Sequence, residues 1–318
     1  MRYILYPAFA ARVSRIGFGC ASLGSRVGAR DGLAALGRAY DAGVTWYDTA
    51  PPYGDGNSEI ILGEFIAGRR DKVQVLTKVG ITPARRHTAL SLVKPLARRL
   101  VAALPGLRQT VSRVRPQATK VALTGEFVRW SLQSSLARLG TDYVDALALH
   151  EPTPQDIDRD DVMLALEQAL DRGQARTIGI AGSAEIGALA RRRCSRISLL
   201  QYANNPFDSD ADHGPCGEGM IVVTHGAFGG AGGLGALSAA LQKDDEMRRA
   251  LEAFGYSAEF RAMAPELLVD YALQQNRDGI VLLSMFDARH LAANISRADL
   301  GADPRAIELL CRVVTRTK

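Results

Sequence analysis

Cysteine is scarce in this sequence and shows no paired spacing. The chain has 318 residues, and its four cysteines stand far apart, as Cys20, Cys194, Cys216 and Cys311. Disulfide-rich scaffolds and structural zinc sites need clustered cysteines or cysteine–histidine pairs, so the sequence argues against both classes. The pattern predicts a reducing compartment, which we interpret as the cytoplasm.

Long apolar runs are also missing. No stretch approaches the roughly 20 uninterrupted apolar residues that a membrane-spanning helix needs. The short apolar run at residues 3–10 is broken by Pro7 and is not followed by a small-residue cleavage site, so secretion is not expected. The sequence therefore predicts a protein without a membrane partner.

Acidic residues are absent from residues 83–125, although the net charge of the whole chain is only +5. The part of this stretch at residues 83–120, named here the basic segment, carries nine lysines and arginines. It has no aromatic residues for stacking on bases, so a solvated lid or insertion is favoured over a nucleic-acid or membrane patch. Docking of the basic segment on an acidic protein or nucleic acid stays open as a third possibility.

Short apolar runs of strand length recur along the chain. The composition, 47% hydrophobic and 23% charged, is that of an ordinary globular protein. Several runs, such as VQVLTK and YVDALALH, lack polar alternation, which is typical of parallel strands covered on both faces. We predict eight strands at residues 14–19, 44–48, 73–78, 143–150, 177–181, 198–202, 220–224 and 279–284.

Amphipathic helices separate these strands. One helix is predicted to begin at a capping Asp31 and to stop at Gly43, and others are predicted to end at Gly140 and Gly173. Strands and helices in alternation predict an α/β fold, a (β/α)8 TIM barrel, as one domain over residues 1–318. An open doubly wound sheet is the competitor, but the first strand is followed by GFGCASLG rather than by a Rossmann fingerprint.

Two connections are much longer than the few residues typical of such folds, namely residues 79–123 and 226–265. Both follow the carboxyl ends of strands, the third and the seventh, where barrels carry their active sites. We predict that these long loops form walls or lids of a substrate pocket. The glycine-rich run HGAFGGAGGLGAL in the second loop is expected to be mobile.

Ionisable residues end three of the predicted strands. Asp48, Lys78 and His150 each follow an apolar run, and Tyr53 follows Asp48 through a stiff turn that contains two prolines. Each residue alone is more often structural than catalytic. A barrel brings strand ends together at one mouth, however, so the four are expected to form one site.

This set of residue types suits carbonyl reduction. An ammonium beside a phenol lowers the pKa of the phenol by favouring the phenolate, so Lys78 is expected to activate Tyr53. Asp48 would fix the lysine, and His150 would orient a substrate carbonyl. No side chain supplies a hydride, so a nicotinamide cofactor is required. A catalytic metal is not expected, since the five histidines lack metal-binding spacing.

The chain resembles the aldo-keto reductases at these same residues. The run WYDTAPPYGDGNSEIILGEFIAG looks like that family's signature around its aspartate and tyrosine. TKVG resembles its lysine strand and LARLGTDYVDALALHEP its histidine strand. The resemblance implies that Asp48, Tyr53, Lys78 and His150 form the catalytic tetrad and that NADP(H) binds extended across the barrel mouth without a Rossmann domain. The spacing DTAPPYGDGNSE is similar to the branch that acts on free sugars and pyridoxal.

The resemblance also implies a cofactor site, with departures from the family pattern. Gln201 matches the glutamine that holds the nicotinamide amide, and His225 stands where a tyrosine normally stacks on the ring. Where the family carries Ser-Asn as a further amide anchor, this chain reads Ala181-Gly182. Ser284 and His290 correspond to two of the basic positions around the 2′-phosphate of the adenosine, and Arg289 is adjacent to them. Because serine and neutral histidine do not copy the phosphate contacts of arginine, NAD(H) remains an alternative to NADP(H), with Asp287 available for a ribose hydroxyl.

These observations lead to two hypotheses of function. The first is an NAD(P)H-dependent oxidoreductase that reduces an aldehyde or ketone, or oxidises a sugar or alcohol, with Tyr53 as general acid or base. The second is a catalytically weak barrel that acts as a nicotinamide-nucleotide-binding sensor or subunit. The expected partner is a small carbonyl or sugar substrate rather than nucleic acid, and the expected assembly is a monomer or weak oligomer.

Overall fold

Eight parallel strands close into a barrel in the computed structural model, which describes residues 1–6, 9, 11–83, 118–208, 219–230 and 232–317. The predicted barrel is therefore confirmed. The first predicted strand is in fact divided between two strands, since residue 14 ends one and Ile16 begins the next. The strands in chain order are β1 Tyr3–Tyr6, β2 Ala11–Ser14, β3 Ile16–Gly19, β4 Trp46–Asp48, β5 Gln74–Val79, β6 Ile81–Thr82, β7 Thr119–Lys120, β8 Val144–His150, β9 Ala175–Ala181, β10 Ile197–Ala203, β11 Ile221–His225 and β12 Ile280–Leu283.

The barrel strands pair in the order in which they occur in the chain. Strand β3 pairs with β4, β4 with β5, β5 with β8, and so on through β12, which pairs with β3 and closes the ring. All eight pairings are parallel. The carboxyl ends of the eight strands therefore lie at one end of the barrel, which is named here the mouth.

Helices surround the barrel, and the described residues contain α1 Ala29–Asp41, α2 Ser58–Ile66, α3 Gly125–Leu139, α4 Pro154–Ile157, α5 Asp160–Asp171, α6 Ala184–Arg193, α7 Gly233–Lys243, α8 Asp245–Glu252, α9 Phe260–Gln275, α10 Ala288–Leu300 and α11 Pro304–Thr317. Gly140 ends α3 in the left-handed conformation, as predicted. The prediction that Asp31 caps α1 is wrong, because the helix begins at Ala29 and Asp31 lies in its first turn. None of these helices is long and apolar enough to cross a membrane.

An N-terminal hairpin covers the end of the barrel opposite the mouth. Strands β1 and β2 pair antiparallel, and the side chains of Tyr6, Phe9 and Val13 join the barrel's inner core. The Phe9 ring lies 5.7 Å from that of Trp46, a fully buried residue at the start of β4. The sequence analysis did not predict this hairpin. Its apolar side chains fill the amino-terminal end, so the mouth is the end at which polar residues collect.

The long connection after the seventh barrel strand contains two helices, α7 and α8. The expectation of a mobile glycine-rich loop is wrong for its second half, because α7 begins at Gly233. These helices pack with α9 and α11 in a separate apolar cluster that includes Leu237, Leu251 and Leu310. The next helix, α9, begins at Phe260 and contains Pro265 within it. Burial of apolar side chains on these helices outweighs the poor helix propensity of glycine and proline.

The long connection after the third barrel strand begins and ends in a short hairpin. Ile81 and Thr82 of β6 pair with Lys120 and Thr119 of β7. Most of the basic segment, residues 84–117, lies outside the described residues. The lid or docking role predicted for it concerns those residues and stays a prediction.

Candidate active site

Four of the predicted site residues meet at the mouth of the barrel. Asp48 is the last residue of β4, Lys78 lies next to the end of β5, and His150 ends β8. These three strands are neighbours in the barrel. Tyr53 follows β4 at the start of a tight turn, Tyr53–Gly56, in which the two central residues have left-handed backbone conformations. The structure therefore brings together residues that are up to 102 positions apart in the sequence, from Asp48 to His150.

A chain of hydrogen bonds joins three of the four residues. The Lys78 ammonium donates to Asp48 Oδ1 at 2.6 Å, to the Thr49 carbonyl at 3.2 Å and to the Tyr53 hydroxyl at 3.2 Å. Lys78 is 1% exposed and Asp48 is 2% exposed. Because the ammonium is buried away from water, these three oxygens replace the hydrogen bonds that water would otherwise provide. The fourth residue, His150, packs edge-on against the Tyr53 ring with 6.0 Å between the ring centroids.

The turn that carries Tyr53 requires glycine at the next position. Gly54 has a φ of 61°, and a Cβ added there would lie 1.6 Å from the carbonyl oxygen of Leu23. The Gly54 amide donates to the carbonyl of Ala21 at 3.2 Å, so the turn is fixed against the loop after β3. A side chain at this position would displace the turn and move the tyrosine away from the lysine.

Buried hydroxyls hold the backbone behind Asp48. The hydroxyls of Thr49 and Ser58 are 2.9 Å apart, and Ser58 donates to the carbonyl of Cys20. The Cys20 amide in turn donates to the carbonyl of Asp48 at 2.9 Å. The sequence analysis did not identify these supporting residues, although Thr49 and Ser58 lie within the run that resembles the family signature.

Burial governs the proton affinity of Tyr53. Desolvation raises the pKa of the Tyr53 phenol above its ordinary value, and the opposing charge of Lys78 offsets only part of the shift. The expected effect of Lys78 is present, because its charge lowers the phenol's pKa, but the desolvation of a buried phenolate is the larger contribution and the net pKa is raised. At neutral pH the phenol keeps its proton and is available as a proton donor.

Lys78 keeps its charge in spite of burial. Desolvation lowers the pKa of its ammonium, but Asp48 and Tyr53 outweigh that effect and raise the pKa above its ordinary value. A permanent positive charge 3.2 Å from the Tyr53 oxygen stabilises the phenolate that forms when the phenol gives up its proton. The arrangement suits a group that must donate a proton and later recover it.

His150 is neutral at physiological pH. Burial, with smaller contributions from the charges of Lys78, His225 and Lys120, lowers its pKa to about 3. Its Nδ1 atom is buried and has no hydrogen-bond partner within the described part of the chain. A neutral imidazole offers one donor and one acceptor, so His150 can hydrogen-bond a carbonyl oxygen without adding a positive charge beside Lys78.

Gln201 links the predicted cofactor side to the predicted proton-transfer side. Its Nε2 atom donates to Asp48 Oδ2 at 3.0 Å, and its side chain is buried on β10. An ionised carboxylate only accepts hydrogen bonds, so the amide nitrogen must face Asp48 and the amide oxygen must face away. That oxygen, Oε1, is buried without a partner among the described residues. It can therefore accept a hydrogen bond from a ligand.

The other predicted cofactor residues lie at the end of β11, after β12 and at the start of α10. His225 ends β11 at the mouth, and its side chain reaches solvent. Ser284 follows β12, while Arg289 and His290 lie in the first turn of α10, and all three are exposed. The guanidinium of Arg289 is paired with Asp287, with 3.0 Å between Nη2 and Oδ2. Asp287 also caps α10 by accepting from the Arg289 amide at 2.8 Å.

A separate cavity of about 670 Å³ opens at the amino-terminal ends of β9 and β10. It is lined by Phe9, Leu170, Gly173, Ala175, Arg176, Thr177, Arg196 and Ser198, and it contains none of the predicted site residues. The candidate active site is therefore identified by its chemistry and by the direction of the strands rather than by cavity size.

Comparison with known proteins agrees with the resemblance seen in the motifs. The model of the aldo/keto reductase family matches residues 15–310. Among curated proteins, D-threo-aldose 1-dehydrogenase from Pseudomonas sp is 34% identical over 211 residues, which cover 62% of this chain and 59% of that protein. The 6-dehydroglucose reductase of Agrobacterium fabrum is 31% identical over 142 residues, which cover 43% of this chain and 39% of that protein. The matched region thus spans about half the length of these relatives.

Solved structures share the fold at low sequence identity. A glycerol dehydrogenase from Gluconobacter oxydans superposes with a TM-score of 0.73 at 17% identity, covering 99% of this chain and 95% of that one. An aldo-keto reductase from Klebsiella pneumoniae in complex with NADPH gives a TM-score of 0.69 at 20% identity, covering 99% of this chain and 96% of that one.

Proposed function

This chain belongs to the aldo/keto reductase family, and we propose that it is an NAD(P)H-dependent oxidoreductase that uses Tyr53 as its general acid and base. It reduces an aldehyde or ketone, or in reverse oxidises a sugar or alcohol. The observation that carries the proposal is the 3.2 Å contact between the buried Lys78 ammonium and the Tyr53 hydroxyl.

The proton transfer follows from the contacts at the mouth. In reduction, the carbonyl carbon receives a hydride and Tyr53 gives its proton to the carbonyl oxygen, so an alcohol forms and a phenolate remains. Lys78 stabilises that phenolate, and Asp48 holds the lysine in place. In oxidation the phenolate removes the hydroxyl proton. His150, which is neutral at physiological pH, orients the substrate oxygen by a hydrogen bond.

The residues at the mouth fit a nicotinamide cofactor. When bound, NAD(P)H supplies the hydride that no side chain provides. Oε1 of Gln201 has no partner among the described residues and is suited to accept from the carboxamide NH₂ group, and His225 provides a ring at the end of the neighbouring strand β11. Ser284, Arg289 and His290 lie close to the start of α10, where the helix dipole favours an anion. We propose NADP(H) as the cofactor, with NAD(H) as the alternative.

Asp287 is expected to limit preference for NADPH. Its carboxylate lies at the start of α10 and occupies the Arg289 guanidinium, which would otherwise meet a phosphate. Replacement by asparagine keeps a helix cap and removes the charge, so Asp287→Asn should tighten NADPH binding about two- to fivefold and leave NADH binding nearly unchanged. Fluorescence titration with both nucleotides measures this. Equal changes for the two would contradict a 2′-phosphate site at α10.

Gly182 stands where the family carries the asparagine that anchors the nicotinamide amide, and the surrounding structure leaves room for a side chain there. A Cβ added there would lie 3.6 Å from its nearest neighbours, Ile180 and Pro152, which is ordinary contact. Gly182→Asn should therefore fold normally and, by one added hydrogen bond to the carboxamide, tighten nucleotide binding about three- to tenfold. Gly182→Ala adds the Cβ without the amide and is the control. Equal binding by both variants would argue against an amide site here.

The substrate class is supported by the curated relatives. Two of them are named for sugar substrates, a D-threo-aldose and a 6-dehydroglucose. We propose a small carbonyl compound or sugar as the substrate, in agreement with the sequence prediction.

The proposal is tested with purified protein, NADPH and NADH, and a panel of aldehydes, ketones and sugars. The enzyme hypothesis requires nucleotide binding and substrate-dependent turnover. Tight nucleotide binding without turnover on the whole panel would instead favour the sensor hypothesis, which the absent Ser-Asn anchor motivates. Failure to bind either nucleotide would contradict both.

A further inference from the structure

Glu151, the residue after His150, has a strained backbone. Its φ is +51°, and among the described non-glycine residues only Asp55 shares this left-handed conformation. The conformation is unfavourable for most residues with a Cβ, whereas glycine or asparagine adopts it more easily. The turn after β8 therefore does not by itself favour glutamate. Strain of this kind clusters at active sites and ligand-binding sites, where the surrounding structure holds the residue in place.

The surrounding chain holds Glu151 in this conformation. Its amide donates to the carbonyl of Ala181, at the end of β9, at 2.6 Å. The buried Pro152 that follows disfavours an ordinary helical conformation at Glu151. The next helix, α4, is capped by Thr153, so Glu151 does not serve as its cap.

The Glu151 side chain is an exposed carboxylate at the mouth. The described residues give it no hydrogen bond or ion pair. Desolvation lowers the pKa of His225, and the charges of Asp48 and Glu151 oppose that shift. His225 ends β11, three strands around the eight-stranded ring from β8, so the carboxylate acts across the opening. Lys120 also lies near this opening, since its charge contributes to the lowered pKa of His150.

We propose that Glu151 is a specificity residue that accepts hydrogen bonds from the hydroxyl groups of a polyhydroxylated carbonyl substrate. The proposal rests on the proposed oxidoreductase function and names the substrate class of that same site. It follows from an exposed carboxylate that has no hydrogen bond or ion pair among the described residues and lies directly after the residue that orients the substrate oxygen.

The chemistry of the rim favours hydroxyl groups over other substituents. An ionised carboxylate has two acceptor oxygens, which match two neighbouring hydroxyls of a sugar. An apolar aldehyde would desolvate the carboxylate without replacing its hydrogen bonds to water, and an anionic substrate would be repelled. The charge of Glu151 therefore favours an uncharged polar molecule at this side of the mouth.

The test compares two aldehydes that differ only in hydroxyl groups, D-glyceraldehyde and propanal. With NADPH, Glu151→Gln should lower kcat/KM for glyceraldehyde about tenfold, mainly through KM, because a charged acceptor is lost. The kcat/KM of this variant for propanal should stay within about twofold of the wild-type value. Glu252→Gln, which removes an exposed carboxylate from α8, is the matched control and should change neither.

A second variant separates recognition from folding. Glu151→Asn accepts the left-handed conformation, so its melting temperature should equal or exceed that of the wild type while its preference for glyceraldehyde falls. Equal changes for both aldehydes, or no change for either, would overturn the specificity role while propanal turnover still supports the oxidoreductase. If the wild type reduces neither aldehyde nor any other carbonyl of the panel, the proposed function fails first.

Discussion

Replacing Tyr53 with phenylalanine should lower the NADPH-dependent rate of carbonyl reduction about one hundred- to ten thousandfold, the usual contribution of a positioned general acid. The variant keeps the ring that packs against His150 and loses only the oxygen that Lys78 contacts. Nucleotide affinity should therefore stay close to that of the wild type, and the loss should appear in kcat. Steady-state assays with NADPH, together with fluorescence titration, measure the two quantities.

The matched control for this variant is Tyr47→Phe. Tyr47 is fully buried, and its hydroxyl donates to the carbonyl of Val44 rather than to a site residue. Its loss should reduce stability slightly and leave the rate nearly unchanged. If Tyr53→Phe turns over as fast as Tyr47→Phe, a different group donates the proton.

Lys78→Met should abolish most turnover and also destabilise the fold. It removes the ammonium that holds the Tyr53 oxygen and leaves the buried Asp48 carboxylate with Gln201 as its remaining side-chain donor. Breaking a buried ion pair on one side typically costs about 3–5 kcal/mol in the free energy of unfolding. Urea unfolding measures this cost, and a matched change at the exposed Lys243 of α7 should have little effect.

A double variant separates charge from catalysis. Asp48→Asn combined with Lys78→Met leaves no unpaired buried charge, so much of the lost stability should return. Activity should not return, because the phenolate still lacks its cation. Recovery of activity in the double variant would contradict the role assigned to Lys78, and full stability of the single variant would contradict a tightly paired Asp48.

The site was predictable where strand patterns decided it. Asp48, Lys78 and His150 each end an apolar run, and parallel strands in a barrel carry their ends to one mouth, so pattern and topology together predicted their meeting. The family model confirms the resemblance drawn from the same motifs. The roles given to these residues stay predictions until the variants are measured.

Other features depend on contacts that sequence patterns do not reveal. The net pKa of Tyr53 depends on how completely the phenol is buried, which the predicted proximity of Lys78 does not reveal. The left-handed backbone of Glu151 is equally hidden, because glutamate gives no local signal for it. The contact between Gln201 and Asp48 joins strands 153 residues apart.

Two parts of the fold were not predicted, because local propensity and packing disagree there. The glycines near Gly233 favour a loop, yet α7 begins there because Leu237 and Leu241 are buried against neighbouring helices. The N-terminal hairpin was not predicted, because the local pattern of residues 3–14 does not indicate what its apolar side chains pack against. It forms where Tyr6 and Phe9 fill the end of the barrel.

The most direct test of the account is the pH dependence of kcat/KM for carbonyl reduction in the wild type and in Tyr53→Phe. A protonated phenol is required, so the wild-type rate should hold at low pH and fall as the pH rises through the pKa of Tyr53. In Tyr53→Phe the residual rate should lack that decline. A decline that persists unchanged in the variant would show that another group supplies the proton.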